Sequence, residues 1–150
     1  MTEVDARETT QELNEIQKIL PHRPPFLFVS RIISIDTGRS AVAEYDVPLD
    51  LPLFEGHFPQ EKILPGVIII EMMAQTGALA ILSHKDFRGK IAYLAGIESA
   101  RFKRPVRPGE TMRAETVIGP IRRRIGRAQG NVFVGGEEVA RAVVLFAVPN

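Results

Sequence analysis

The stretch FEGHFPQEKILPGVIIIEMMAQTGALAIL, residues 54–82, decides the fold. Its second half predicts a helix from about Val67 to His84 that is apolar on nearly every side. Such a helix is stable only when something covers it all round. The run from Ile63 to Leu82 approaches membrane-span length. Glu71, Gln75, Pro65 and two glycines within it point instead to a helix buried in a protein core.

The flanking segments supply the cover. After the helix the chain alternates as strands do: KIAYLAGIESARF, ETMRAETVIG, GRAQGNVFV and EEVARAVVLFAV. Gly135-Gly136 between the last two is a tight-hairpin signal. Before the helix, FLFVSRIISID reads as a strand, and Asp36-Thr37-Gly38 turns it into a second, SAVAEYDV. Proline-rich PLDLPLFEGHFP is a loop. Near the start, Thr9 and Glu12 fit a capping box for a short helix with Leu13, Ile16, Ile19 and Leu20 on one side. Residues 1–8 read as a frayed tail and residues 9–150 as one domain. The expected class is α+β: an antiparallel sheet wrapped around one long central helix.

Composition narrows the function. The 150 residues suit a single domain, and a domain of this size buries roughly 70% of its unfolded surface without covalent staples. A net charge of +1 gives no general affinity for polyanions. The absence of cysteine removes disulfides, thiolate zinc sites and thiol nucleophiles. The polar, acidic N-terminal stretch has no apolar signal core, so a soluble cytosolic protein is expected. No phosphate-binding glycine motif, nucleophile elbow or metal-ligand spacing occurs. Aromatics are only 7%, and nucleic-acid binding is unpromising despite the basic runs RFKRPVR and IRRRIGR.

Two titratable residues then stand out. Glu71 lies in the most apolar segment, and burying a carboxylate unpaired costs several kcal/mol or raises its pKa. The bland reading is a half-exposed helix face or an arginine partner. Gln75, at i+4, lies on the same side and can hold the carboxyl. A carboxyl raised in pKa is what general acid catalysis requires. His57 sits in the loop just before, where a lone histidine is more often a surface residue. Pro65-Gly66 opens the helix, and the free N–H groups of Gly66 and Val67 there would favour a developing oxyanion. Base, acid and oxyanion donors thus collect around one helix start.

The residues LPHRPPFLFVSRI, GHFP, LPGVIIIEMMAQTGALAIL and AGIESARFKRPVRPGETM closely resemble the 3-hydroxyacyl-[acyl-carrier-protein] dehydratases of bacterial type II fatty acid synthesis. The resemblance runs in order from about Ile19 to Val148. It implies the hot-dog fold, a homodimer that assembles further as a trimer of dimers, and a reaction without a cofactor or metal. That reaction removes water from a (3R)-3-hydroxyacyl thioester carried by acyl carrier protein and yields a trans-2-enoyl thioester. By position it implies that His57 and Glu71 are catalytic and that Gly66 polarises the thioester carbonyl. It further implies a site shared across the two-fold, His57 of one subunit facing Glu71 of the other. The carrier is acidic, so Arg101, Lys103 and Arg104, and secondarily Arg122, Arg123 and Arg124, are candidates to steer it.

Departures from the family pattern fall beside the expected site. Gln60-Glu61-Lys62 stands where Gly-Lys-Pro is usual, and Met72 where a small residue commonly follows the glutamate. Pro24 replaces an aromatic and Ser30 an aspartate. Two other functions suit the same scaffold. A hot-dog thioesterase would release free acid and carrier thiol. A carrier-binding module would need no acid–base pair at all.

Overall fold

A computed structural model describes residues 12–149. The expected tail, residues 1–8, and Thr9 of the expected capping box lie outside them. Helix α1 covers residues 12–19. Ile16 and Leu20 are buried and Ile19 is half-buried, whereas Leu13 is exposed. The guanidinium of Arg23 closes this helix, donating to the carbonyls of Gln17 and Leu20 at 3.0 and 2.7 Å.

Strands β1 (Arg31–Asp36) and β2 (Ser40–Asp46) form a hairpin, and a single 3-10 turn (Pro52–Glu55) interrupts the following loop. Helix α2 runs Gly66–Leu82, and β3 (Tyr93–Phe102), β4 (Thr111–Ile118), β5 (Ile125–Val134) and β6 (Glu137–Ala147) follow. The six strands make one antiparallel sheet in the order β1-β2-β4-β5-β6-β3. Gly135 and Gly136, at φ +57° and +83°, make the tight β5–β6 turn that the sequence signals.

The sheet curls round α2, giving the α+β hot-dog arrangement expected from the all-apolar helix. Thirteen residues of α2 are buried. Ile68, Ile69 and Ile70 open it although β-branched side chains cost a few tenths of a kcal/mol each in a helix. Burying each of them returns about 2 kcal/mol, so tertiary packing decides. Two polar links fix the helix to the sheet: Thr116 Oγ1 donates to Met73 O at 3.0 Å, and Gly38 N–H donates to Ala80 O at 2.8 Å.

The first expected strand is shorter than its sequence pattern. Residues 26–29 are not in the ladder, and Phe28 N–H donates instead to the side-chain Oε1 of Gln75 at 2.8 Å, while Ser30 N–H reaches Glu44 O on β2 at 2.7 Å. The apolar run FLFV is therefore used to dock a loop on α2 and pairs with no strand. Among the described residues no helix is long and apolar enough to cross a membrane.

Candidate active site

His57 is positioned by its own loop. Its Nδ1 lies 2.8 Å from the carbonyl oxygen of Ile63. A carbonyl only accepts, so Nδ1 carries the proton and Nε2 keeps its lone pair. The ring stacks on Phe58 at 4.1 Å. Eight residues, 58–65, then return to α2, which begins at Gly66 behind Pro65. The N–H groups of Gly66 and Val67 have no hydrogen-bond partner among the described residues, as the first turn of a helix dictates. His57, Gly66 and Val67 line one open hollow together with Lys103 and Arg104. A Cβ on Gly66 would come within 3.0 Å of the Phe102 ring, so glycine here lets that ring close over the helix start.

Glu71 does not open into that hollow. It lines a narrow cavity on another face of α2, between the helix and β3, β5 and β6. Burial raises its pKa above the usual carboxylate range, partly offset by the neighbouring Gln75 amide. Gln75 stands beside Glu71 and has a second task as well. Its buried amide bridges to the chain at residues 26–28, accepting from Phe28 N–H and donating to Phe26 O at 3.1 Å. Within one chain, then, His57 and the N–H groups of Gly66 and Val67 share one hollow while Glu71 faces another.

The basic candidates divide. Lys103 pairs with Glu138 at 3.2 Å, and Arg104 grips Glu110 through both terminal nitrogens and also reaches Glu137. These two cations rim the His57 hollow with much of their charge already matched. Arg101 lies on the outer face of the sheet, opposite Arg141 in the β3–β6 register. Arg122, Arg123 and Arg124 form the tip of the β4–β5 hairpin, where Arg123 and Arg124 adopt positive φ.

One residue at the cavity was not singled out by its sequence position. His22 lines the same cavity as Glu71, and its Nδ1 is buried with no hydrogen-bond partner among the described residues. Burial, with help from Arg23, lowers its pKa. Only its place in the run LPHR hints at a position near the helix.

A family model described as a FabA-like domain matches residues 20–143. The chain belongs to the FabA-like family. It is 52% identical over 134 residues to a protein of Thermomicrobium roseum named 3-hydroxyacyl-[acyl-carrier-protein] dehydratase FabZ, covering 89% of this chain and 90% of that one. A protein of the same name from Pelotomaculum thermopropionicum is 47% identical, over 91% of this chain and 98% of the relative. Among solved structures, the dehydratase heterocomplex ApeI:P of Xenorhabdus doucetiae superposes with a TM-score of 0.77 at 20% identity, covering 90% of this chain and 91% of that one. A hypothetical thioesterase with coenzyme A from Streptococcus pneumoniae gives 0.61 at 11%, over 80% and 85%. Likenesses this distant in sequence establish the hot-dog fold alone.

Proposed function

We propose that this FabA-like protein dehydrates (3R)-3-hydroxyacyl thioesters on acyl carrier protein to trans-2-enoyl thioesters, in the elongation of fatty acids. The observation that carries the reading is a base-ready histidine and two free helix N–H donors in one hollow, in a chain about half identical to proteins named for this reaction. The thioester carbonyl accepts from Gly66 N–H, with Val67 N–H beside it. That stabilises the enolate-like charge as His57 Nε2 takes the proton next to the carbonyl. Glu71, whose hold on its proton burial strengthens, gives that proton to the C3 hydroxyl, and water leaves. The electron pair from the broken C–H bond becomes the new double bond.

Acid and base must meet, and a two-fold dimer offers the way. Strand β3 is a sheet edge ten residues long, with Tyr93, Leu94, Ile97 and Phe102 exposed along it. An apolar edge of this length is a ready pairing surface. Two copies joined there form one continuous sheet and bring His57 of one protomer toward Glu71 of its partner. The homodimer, its assembly into a trimer of dimers, a single domain over residues 9–150 and a cytoplasmic location belong to the same reading. Lys103 and Arg104 on the rim of the His57 hollow serve the acidic carrier, with Arg101 further out on the sheet.

The test is mass spectrometry of 3-hydroxyacyl carrier protein after incubation with the purified chain. Loss of one water with the thioester intact is the expected result. Free acid with carrier thiol, or no change for any chain length, would overturn the reading.

A further inference from the structure

From residue 126 to residue 130 the face of β5 turned toward α2 carries almost no side chain. Gly126, Ala128 and Gly130 are buried in turn along it, and Val132 follows them. Each glycine is filled by a neighbour. A Cβ at Gly130 would lie 2.1 Å from Met73 Sδ, and one at Gly126 would lie 2.5 Å from the ring tip, Cζ, of Phe146. Between these two fillers only Ala128 faces the helix, and it lines the Glu71 cavity.

That cavity has a direction. Ala74 and Ala78 continue its wall from Glu71 along the helix, and Ile81, Tyr93, Leu94 and Phe146 are its large apolar residues. From Glu71 to Ile81 the helix rises about 15 Å. Phe146 stands at the Ile81 end, as the register shows. Ile118 N–H donates to Arg39 O next to Gly38, whose own N–H reaches Ala80 on the helix. Ala128 is opposite Ile118, and Gly126, two residues further on, is opposite Phe146. The floor is thus methyl-sized along its length and aromatic at its end. Its volume of about 40 Å³ is room for two or three waters, so the position of one ring decides how far a chain can go.

We propose that Phe146, its ring laid over Gly126, is the stop that sets how long an acyl tail this protein accepts, and that Gly126 holds the stop in its open position. The inference rests on the dehydratase reading, with the acyl tail running past Glu71 along this cavity. A side chain at Gly126 has one easy outlet, because the atom it strikes is the far end of a side chain and not backbone. The ring must swing off β5 toward the cavity it lines, which shortens the space. Removing the ring lengthens it. The two substitutions therefore act in opposite directions on one property.

The experiment compares kcat/KM for 3-hydroxybutyryl, 3-hydroxydecanoyl and 3-hydroxyhexadecanoyl carrier protein in the full-length chain. Each buried methylene contributes about fourfold, so displacing a few of them shifts the long-to-short ratio on the order of tenfold or more. Phe146→Ala is expected to raise the hexadecanoyl-to-butyryl ratio by that factor and Gly126→Ala to lower it by a similar factor, with butyryl turnover kept. Phe146→Leu, milder for the core, should fall between wild type and Phe146→Ala. If Gly126→Ala does not fold, the Phe, Leu, Ala series at 146 decides alone. Ratios that stay at the wild-type value, or that move the same way in Gly126→Ala and Phe146→Ala, overturn the stop while leaving the dehydratase reading intact. A wild-type chain that dehydrates none of the three substrates overturns both.

Discussion

His57 lies nine residues before Gly66, which opens α2, and Glu71 five residues after it, yet in a single chain they line separate hollows. His57 looks out beside the helix N-terminus. Glu71 looks into a cavity walled by β3, β5 and β6. The edge strand β3 borders that cavity through Tyr93 and Leu94, so whatever pairs with the edge stands close to Glu71.

A site completed across a two-fold can be rescued by mixing. His57→Ala and Glu71→Ala chains, each nearly inactive, are co-expressed. Random pairing makes about half the dimers mixed, and each mixed dimer has one intact site of two. Recovery of about a quarter of wild-type activity is expected. A site contained in one chain gives none, because every chain then lacks one group.

The imidazole tautomer makes the base specific. Replacing His57 by alanine is expected to lower kcat on the order of 100- to 10,000-fold with an unchanged circular dichroism spectrum. Substitution by asparagine, which can still donate to Ile63 O but offers no basic nitrogen, should do no better. Activity of His57→Asn near the wild-type level would mean that another group takes the proton.

Glu71 couples activity to stability. Burial raises its folded-state pKa, so the native protein binds this proton more tightly than the unfolded chain does. Stability from this group is therefore greatest below its unfolded value and is lost as pH rises through the folded one. Glu71→Gln should be inactive, raise Tm at neutral pH, and show no such gain below about pH 4, where both side chains are neutral. A gain in Tm of the same size at both pH values would point away from a buried charge.

Gln75 is expected to matter for folding more than for chemistry. Alanine there strands the buried Phe28 N–H and releases the part-buried Phe26 C=O. Leaving one buried group unpaired costs about 1–3 kcal/mol, which lowers Tm by roughly 2–12 °C in a chain of this size. Gln75→Glu, which can accept from Phe28 N–H when ionised but cannot then donate to Phe26 O, should fall between. Thermal melts of the three proteins give the order directly.

Carrier docking has a separate signature. The pairs of Lys103 and Arg104 with glutamates are exposed or half-exposed, and such pairs add about 0–1 kcal/mol each to stability. Lys103→Ala and Arg104→Ala should therefore fold, but bind carrier protein more weakly and with a shallower salt dependence than wild type. Binding that ignores both salt and these substitutions would place the docking surface elsewhere. Titrations by surface plasmon resonance at several ionic strengths read both quantities.

The sequence determined the architecture through local rules. Eighteen residues with no polar face required a helix wrapped on all sides, and alternating strands with Gly135-Gly136 between two of them supplied the wrapping. It also drew attention to Glu71, a carboxylate in an apolar helix, while His57 and Gly66 stood out only through their combination with it around one helix start and through the family resemblance. Periodicity gives a residue a face, however, and not a neighbour. That Phe28 N–H would be taken by Gln75, cutting short a strand that reads well to residue 26, depended on residues 47 positions apart. The pairing of Arg104 with Glu110 and Glu137, the place of His22 beside Glu71, and the laying of Phe146 on Gly126 depended on sheet order and register. Tertiary structure alone decided that β3 is an edge while β6 sits inside it, because strand order is set by which apolar faces bury together over long range, and each strand's own alternation is equally satisfied on either side of its neighbour.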